Sequence, residues 1–180
     1  MNGKFIVGKA WEIIRTNEVV VDWHKVVWSL KDIPRNQFIL WLAFRKRLET
    51  RDRIKKYMNI LDVNCPVCIV KEESIDHLFG ECTFVSKLWI NFAQNMNITK
   101  FPLTWNEIIK LVKKRAKGDS FYANVFKCLF RALVYNTWRE RNTRIHSMNK
   151  RIEENVWDNI VSDDNILIHT WRGISINEDS

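Results

Sequence analysis

Residues 65–82 read CPVCIVKEESIDHLFGEC, and the spacing of their cysteines and histidine decides how the middle of this chain folds. The pattern is C-x2-C-x8-H-x4-C, formed by Cys65, Cys68, His77 and Cys82. A close thiolate pair followed by an imidazole and a third thiolate is a ligand set for a tetrahedral zinc ion. Because four protein ligands leave no position for water, the pattern predicts a structural Zn²⁺ site in a binding module, not a metalloenzyme.

Two other interpretations of these cysteines remain open at this point. A C-x-x-C pair also serves thiol–disulfide exchange, although that interpretation leaves His77 and Cys82 without a role. The cysteines could also be unrelated buried side chains. With zinc bound, three thiolates give a cluster of net charge −1, which Lys71 could offset. Asp76 either orients the imidazole ring or is simply a solvated carboxylate.

The composition favours a helical fold. Apolar residues make up 46% of the 180 residues, enough for a real core, and only five Gly and three Pro interrupt them. Such a scarcity of turn formers disfavours a many-stranded sheet. We therefore predict an all-α fold with a small zinc-stabilised CCHC knuckle.

No secretory pattern and no apolar run of about 18 residues are found in the sequence. We expect a protein that is neither secreted nor inserted in a membrane, located in the nucleus or the cytoplasm. In such a reducing compartment, clustered cysteines bind metal more often than they form disulfides.

Helical spacing of apolar residues predicts the main elements. A central core helix is expected over 34–48, apolar almost all round, followed by helices from residue 51, over 84–92, over 105–117 and from residue 121 onward. Cys128 is expected on the apolar face of the last of these. The expected helix caps and stops are Asp32, Thr50, Ser74, the Thr104–Glu107 capping box, Gly118, and either Asp119 or Ser120.

The chain divides into four predicted regions. These are an N-terminal helical lead-in (1–20), a zinc-binding domain (21–95), a C-terminal helical region (96–150), and a weak helix with a frayed acidic tail (151–180).

The charge points to an anionic partner. The formal net charge is +8 and the isoelectric point is about 9.4, for which nucleic acid is the commonest partner and an anionic membrane the second. A cluster that we call the basic corner precedes the zinc ligands and consists of Arg45, Lys46, Arg47, Arg51, Arg53, Lys55 and Lys56. Together with Glu49 and Asp52 it carries +5. Weaker clusters occur over 110–117 and 139–144. Each either contacts phosphates or is only a solvated helix face.

The aromatic residues allow two roles. Nine tryptophans suggest platforms for base stacking, but Trp23, Trp41, Trp89 and Trp105 have helical core spacing, which favours packing. Phe79 lies between two metal ligands and either stacks on an unpaired base or packs against the metal cage.

A longer run of residues resembles a known family. It comprises Trp28, Pro34, Phe38-Ile39-Leu40-Trp41, Arg47-Leu48-Glu49-Thr50-Arg51-Asp52, Cys65-Pro66-Val67-Cys68, Glu73, His77-Leu78-Phe79, Cys82 and Trp89. Over about 20–92 this run is similar to the zinc-binding domain of plant non-LTR retrotransposon reverse transcriptases. Residues 138–145 resemble the tail that often follows that domain. The resemblance implies zinc bound by the four ligands, a nucleic-acid-binding role in target-primed reverse transcription, and the polymerase part of a retrotransposon protein as a further partner.

The sequence does not predict an enzyme. A polymerase needs carboxylates that hold two metal ions, and the pair Asp163-Asp164 has Val161 where a reverse-transcriptase box has an aromatic residue. We predict a non-catalytic, zinc-dependent module that binds nucleic acid, favouring RNA or single strands. The alternatives are a protein-interaction scaffold in which zinc only holds helices together, and a relic fragment without nucleic-acid binding.

Overall fold

A computed structural model describes residues 21–28 and 33–146, and these ranges confirm the predicted helical fold class. The helices are α1 (His24–Val27), α2 (Pro34–Phe44), α3 (Arg51–Ile54), α4 (Thr83–Asn95), α5 (Trp105–Arg115) and α6 (Phe121–His146). A single π turn covers His77–Glu81, immediately before α4. Extended pairing within the described ranges is limited to one bridge, between Asn64 and Glu72. The predictions for 1–20 and 151–180 lie outside these ranges, and the division into four regions stays a prediction.

Helix α2 begins where the sequence predicted but ends earlier. Pro34 occupies its first turn after Ile33, while the predicted cap Asp32 is outside the described residues. The predicted end near Leu48 is wrong, because Lys46 has a left-handed φ of 51° and Arg47 N–H donates to Leu42 O at 2.8 Å. This bonding is a Schellman motif, which ends a helix. Leu48 is still buried, but in the turn that follows α2.

Most predicted caps are present. Ser74 Oγ accepts from His77 N–H at 3.0 Å, and Ser120 Oγ accepts from Ala123 N–H at 3.3 Å. Thr104 Oγ1 accepts from Glu107 N–H at 3.4 Å and donates to the Glu107 carboxylate at 2.8 Å. These local predictions are confirmed, because each cap depends on residues only three apart.

Two predicted helix boundaries differ in detail. Thr50 holds the N-cap position of α3, yet its hydroxyl donates to Asp52 Oδ1, and the first helical N–H, that of Arg51, donates to Glu73 instead. Helix α5 ends at Arg115, and Gly118 follows with a positive φ of 79° in the connection to α6.

The core is an aromatic stack between α2, α4, α5 and α6. The rings of Trp105 and Phe130 are nearly parallel, with their centroids 6.2 Å apart. The Trp89 ring also stacks on Phe130, at a centroid distance of 5.6 Å. The indole N–H of Trp89 donates to Phe79 O at 2.7 Å. Both tryptophans are buried, so the packing role predicted for them is confirmed. Trp23, Trp41 and Cys128 are partly buried against the same core.

Helix α2 is not buried all round, which corrects the sequence-based expectation. Leu40 and Ala43 are fully buried where α2 packs against α6, whereas Phe38 is 51% exposed. Helix α2 also contacts α1, but these neighbours do not surround it, so part of its apolar surface faces outward.

Gly80 marks a close approach of the π turn to the start of α5. A Cβ atom placed there would lie 2.8 Å from Leu103 O and 2.9 Å from Trp105 N, and both are backbone atoms. The absence of a side chain therefore lets the metal-bearing part of the chain pack directly against α5.

We predict that Gly80→Ala lowers the free energy of unfolding by about 1–3 kcal/mol, because backbone must move to admit the methyl group. Urea denaturation measures the change. Gly118→Ala is the comparison: open space surrounds that position, but its positive φ still costs about 1 kcal/mol. A Gly80→Ala protein as stable as the wild type would contradict the close packing.

Candidate metal centre

The structure brings the four predicted ligands together. The ligand atoms of Cys65, Cys68, His77 and Cys82 all lie within 4.8 Å of one another, and every one except Cys68 is buried. In a tetrahedral site with zinc–sulfur bonds of about 2.3 Å, sulfur atoms are about 3.8 Å apart. The four side chains therefore need only a small contraction to share one ion.

The first two ligands sit on a short hairpin over residues 63–73, which we call the metal hairpin. Glu73 N–H donates to Val63 O at 2.9 Å and Cys65 N–H donates to Lys71 O at 2.7 Å, which pairs the two arms. The tip closes when Ile69 N–H donates to Cys65 O at 2.8 Å. Ile69 has a φ of 62°, an unfavourable conformation for a β-branched residue that this turn imposes. The hairpin thus places the Cys65 and Cys68 thiols on one side.

The last two ligands lie at the two ends of the π turn: His77 is its first residue, and Cys82 follows its last residue. Cys82 N–H donates to His77 O at 2.8 Å, the five-residue bond that defines this turn. The wider turn buries Leu78 and Phe79 in the core while His77 Nε2 lies 3.2 Å from Cys68 Sγ. Cys82 also precedes the first residue of α4, where backbone N–H groups favour an anionic thiolate.

The pKa shifts favour metal binding at Cys82 and His77, but not at Cys65. The hydrogen bond between the Cys82 and Cys65 thiols lowers the pKa of Cys82, and the N–H groups of Val85 and Phe84 lower this pKa further. The same thiol pair, together with burial, raises the pKa of Cys65. Burial lowers the pKa of His77, so its imidazole is neutral near pH 7 and keeps a lone pair for a metal. The nitrogen–sulfur donor set is the one zinc prefers.

Asp76 does not orient the imidazole. Its carboxylate binds Lys46 Nζ at 2.7 Å on the surface, and the buried His77 Nδ1 has no hydrogen-bond partner within the described part of the chain. Asp76 is therefore a solvated surface carboxylate, as the second of the two interpretations predicted. Lys71 pairs with Glu81 at 3.5 Å.

Glu73 forms a buried ion pair with Arg141 that the sequence analysis did not predict. Its side chain is fully buried, and Arg141 on α6 binds both carboxylate oxygens, at 2.7 Å through Nε and 2.6 Å through Nη2. Arg51 N–H donates to the same carboxylate at 2.8 Å, and Asp52 N–H donates to the Glu73 main-chain oxygen at 3.2 Å. One carboxylate thereby joins the metal hairpin to both α3 and α6.

Arg144 makes a second link between α6 and the metal hairpin. Its Nη1 donates to Val67 O at 2.7 Å, inside the Cys65–Cys68 turn, and its guanidinium lies 4.6 Å over the Phe84 ring. The interpretation of 139–144 as a phosphate-binding cluster is therefore wrong for Arg141 and Arg144, since both bind within the protein. For Arg141 and Arg144, the only signal in the sequence was that residues 138–145 resemble the tail that often follows this kind of zinc-binding domain.

The basic corner is less positive than its sequence suggests. Four of its seven cations form ion pairs: Lys46 with Asp76, Arg51 with Asp62, Arg53 with Glu49 and Lys55 with Glu72. Counting Asp52 as well, five carboxylates face seven cations and leave a net charge of +2 instead of +5. The remaining three, Arg45, Arg47 and Lys56, are exposed and form no ion pair with any residue that the structure describes.

Phe79 is not available to a base. Its side chain is fully buried, and its ring lies 5.1 Å from that of Trp105. The stacking role considered for it is wrong, and the packing role is correct.

This geometry defines a helical domain with a cysteine–histidine metal centre of the structural type. Residues 5–89 match the family model described as zinc-binding in reverse transcriptase. This match confirms the resemblance and the predicted Zn²⁺ cofactor, and the matched region is a zinc-binding one that is not itself catalytic. Comparison with curated proteins and with solved structures gives no match.

None of the helices in the described ranges is long and apolar enough to cross a membrane. Location in the nucleus or the cytoplasm stays a prediction.

We predict that Glu73→Ala and Arg141→Ala each lower the free energy of unfolding by about 3–5 kcal/mol, because each leaves a buried charge without its partner. Chemical denaturation of the zinc-loaded protein measures both. Asp76→Ala is the control, because its exposed pair with Lys46 contributes about 0–1 kcal/mol. Equal effects of Asp76→Ala and Glu73→Ala would show that the buried pair is not special.

We predict one zinc ion per chain, lost on replacement of Cys68 by Ser, since hydroxyl oxygen is a poor substitute for thiolate. Elemental analysis of the purified proteins measures the stoichiometry. Cys128→Ser is the matched control, as Cys128 lies on α6 outside the cluster. Because structural zinc contributes on the order of 10 kcal/mol, chelation is expected to speed amide exchange over 63–82 before the rest of the fold. Zinc retained by the Cys68 variant would refute this ligand set.

Proposed function

We propose that the chain is a non-catalytic nucleic-acid-binding module in which Cys65, Cys68, His77 and Cys82 hold Zn²⁺ and the basic corner contacts phosphates. The observation that carries this proposal is a set of three ion pairs. Asp62, Glu72 and Asp76, all in the segment that contains the metal ligands, bind Arg51, Lys55 and Lys46. Residues 62–82 therefore lie directly beside the basic corner.

The three unpaired cations supply the first phosphate contacts. Arg45, Arg47 and Lys56 are exposed. For a single strand, each phosphate that they bind adds about −0.7 to the slope of log affinity against log salt concentration. Three such contacts correspond to a slope of about −2 in a plot of log affinity against log salt concentration.

The paired cations can add to these contacts. Exposed ion pairs contribute only about 0–1 kcal/mol, so Lys46 or Lys55 can exchange a carboxylate for a phosphate at little cost. The charge of these lysines then becomes available on binding, while the bonds from the Arg51 and Asp52 N–H groups to Glu73 keep α3 in place.

The family supports this choice of partner. Its description places the domain in reverse transcriptase, an enzyme that acts on nucleic acid. Within such a protein the domain would hold RNA or a single strand near the polymerase, which is the second partner that we propose.

A protein-interaction scaffold is the second candidate, and exposed apolar side chains favour it. Leu61 is fully exposed, and Ile69 and Val70 at the tip of the metal hairpin are 56% and 72% exposed. In that case the protein associates with itself or with a partner in sedimentation experiments and does not bind oligonucleotides.

We predict that replacing Arg45, Arg47 and Lys56 together by Glu weakens binding of a fluorescent single-stranded RNA at least about tenfold at low salt. Fluorescence anisotropy at several salt concentrations should also show a slope smaller by about 2. The effect arises because three phosphate contacts are lost and replaced by repulsion.

The matched control replaces Lys110, Lys114 and Lys117 by Glu. These lysines are exposed on and just beyond α5, and the change in net charge is identical. If both triple variants weaken binding equally, only the overall charge matters and the basic corner is not the binding surface.

A further inference from the structure

Tyr57 is an exposed aromatic residue inside the basic corner. It follows Lys55 and Lys56 in the turn after α3, and 63% of its surface is exposed. An aromatic ring in this position contributes nothing to the core. Two cations, Arg53 and Lys56, belong to the same short segment of chain.

The ring is held in place although it is exposed. Its hydroxyl donates to Glu49 Oε2, and its main-chain N–H donates to Ile54 O at 3.1 Å. Arg53 binds the other Glu49 oxygen at 3.5 Å and also donates to Lys46 O at 3.1 Å. A side chain fixed before binding loses less conformational entropy when a ligand arrives.

The charges around Tyr57 suit a nucleic acid. Arg53 compensates the carboxylate of Glu49, so the anchor of the ring does not repel phosphates strongly. The hydrogen bond to Glu49 raises the pKa of Tyr57, which keeps its hydroxyl uncharged. The site thus combines a neutral aromatic face with cations on the same short stretch of chain.

This combination distinguishes single strands from duplexes. Every base has a face that stacks on an aromatic ring, and aromatic residues beside cations are how single-strand-binding proteins hold bases without reading their sequence. In a duplex those faces are already covered by neighbouring base pairs. Cations alone bind phosphates in both forms.

We propose that the exposed Tyr57 ring is a stacking platform for one unpaired base, which makes the basic corner selective for single-stranded nucleic acid. This inference rests on the proposed function. It assigns the selectivity to one side chain, whereas the surrounding cations supply the affinity common to single strands and duplexes.

The test compares an unstructured, fluorescently labelled RNA with the duplex formed with its complement. The zinc-loaded protein is titrated against each RNA by anisotropy, as wild type and as three variants. In Tyr57→Ala the ring is removed, and in Tyr57→Phe the ring is kept without its hydrogen bond. Phe121→Ala removes a ring that is 58% exposed at the start of α6. Phe121 lies 20 residues from Arg141 on the same helix, about 30 Å from the metal hairpin.

We expect Tyr57→Ala to weaken single-strand binding about tenfold, as for loss of one stacked base, with duplex binding and the salt slope unchanged. Tyr57→Phe should stay within about twofold of the wild type for both RNAs, because stacking needs the ring and the lost hydrogen bond removes only its pre-ordering. Phe121→Ala should bind both RNAs as the wild type does. Light-induced crosslinking mapped by mass spectrometry should attach the single strand at Tyr57.

Two results would overturn the inference while leaving the proposed function intact. One is wild-type affinity of Tyr57→Ala for both RNAs, and the other is an equal loss for both. If the wild-type protein binds neither RNA, the proposed function fails first, and the inference fails with it.

Discussion

The buried ion pair between Glu73 and Arg141 is the contact on which the rest of the arrangement depends. Removing a carboxylate and a guanidinium from water costs several kcal/mol for each ion, and good geometry with further hydrogen bonds is needed to offset this. Here both carboxylate oxygens bind Arg141 and one also accepts the Arg51 N–H. The pair is therefore satisfied only when the metal hairpin, α3 and α6 are all in place.

Zinc and this ion pair have different tasks. The ion fixes how residues 65–82 fold on themselves, whereas Glu73 and Arg144 fix where that segment sits against α6. Helix α3 carries part of the basic corner, and its first N–H is bound by Glu73. The position of Arg51 and Arg53 thus follows from a buried carboxylate, which explains how a short four-residue helix keeps a defined orientation.

Features that depend on nearby residues could be predicted from the sequence, and those that depend on distant residues could not. The ligand spacing and the caps Ser74, Thr104 and Ser120 require only a few consecutive residues. The early end of α2 was missed because Lys46 adopts a left-handed conformation that glycine or asparagine usually signals. The pair of Glu73 and Arg141 joins positions 68 residues apart, and no local pattern reveals which of many charges will meet.

The same difficulty explains why counting charges overestimates the electropositive surface. Lys127 and Arg131, like Arg141, contribute to the net charge of +8 although they are buried: Lys127 donates to Gly118 O at 2.7 Å and Arg131 to Val26 O at 2.8 Å. Cations whose donors are bound inside the fold cannot release counterions from a nucleic acid, and the field outside depends on the exposed ones. Arg45, Arg47 and Lys56 remain exposed, so the affinity proposed for this surface arises from a few side chains and its selectivity from the Tyr57 ring.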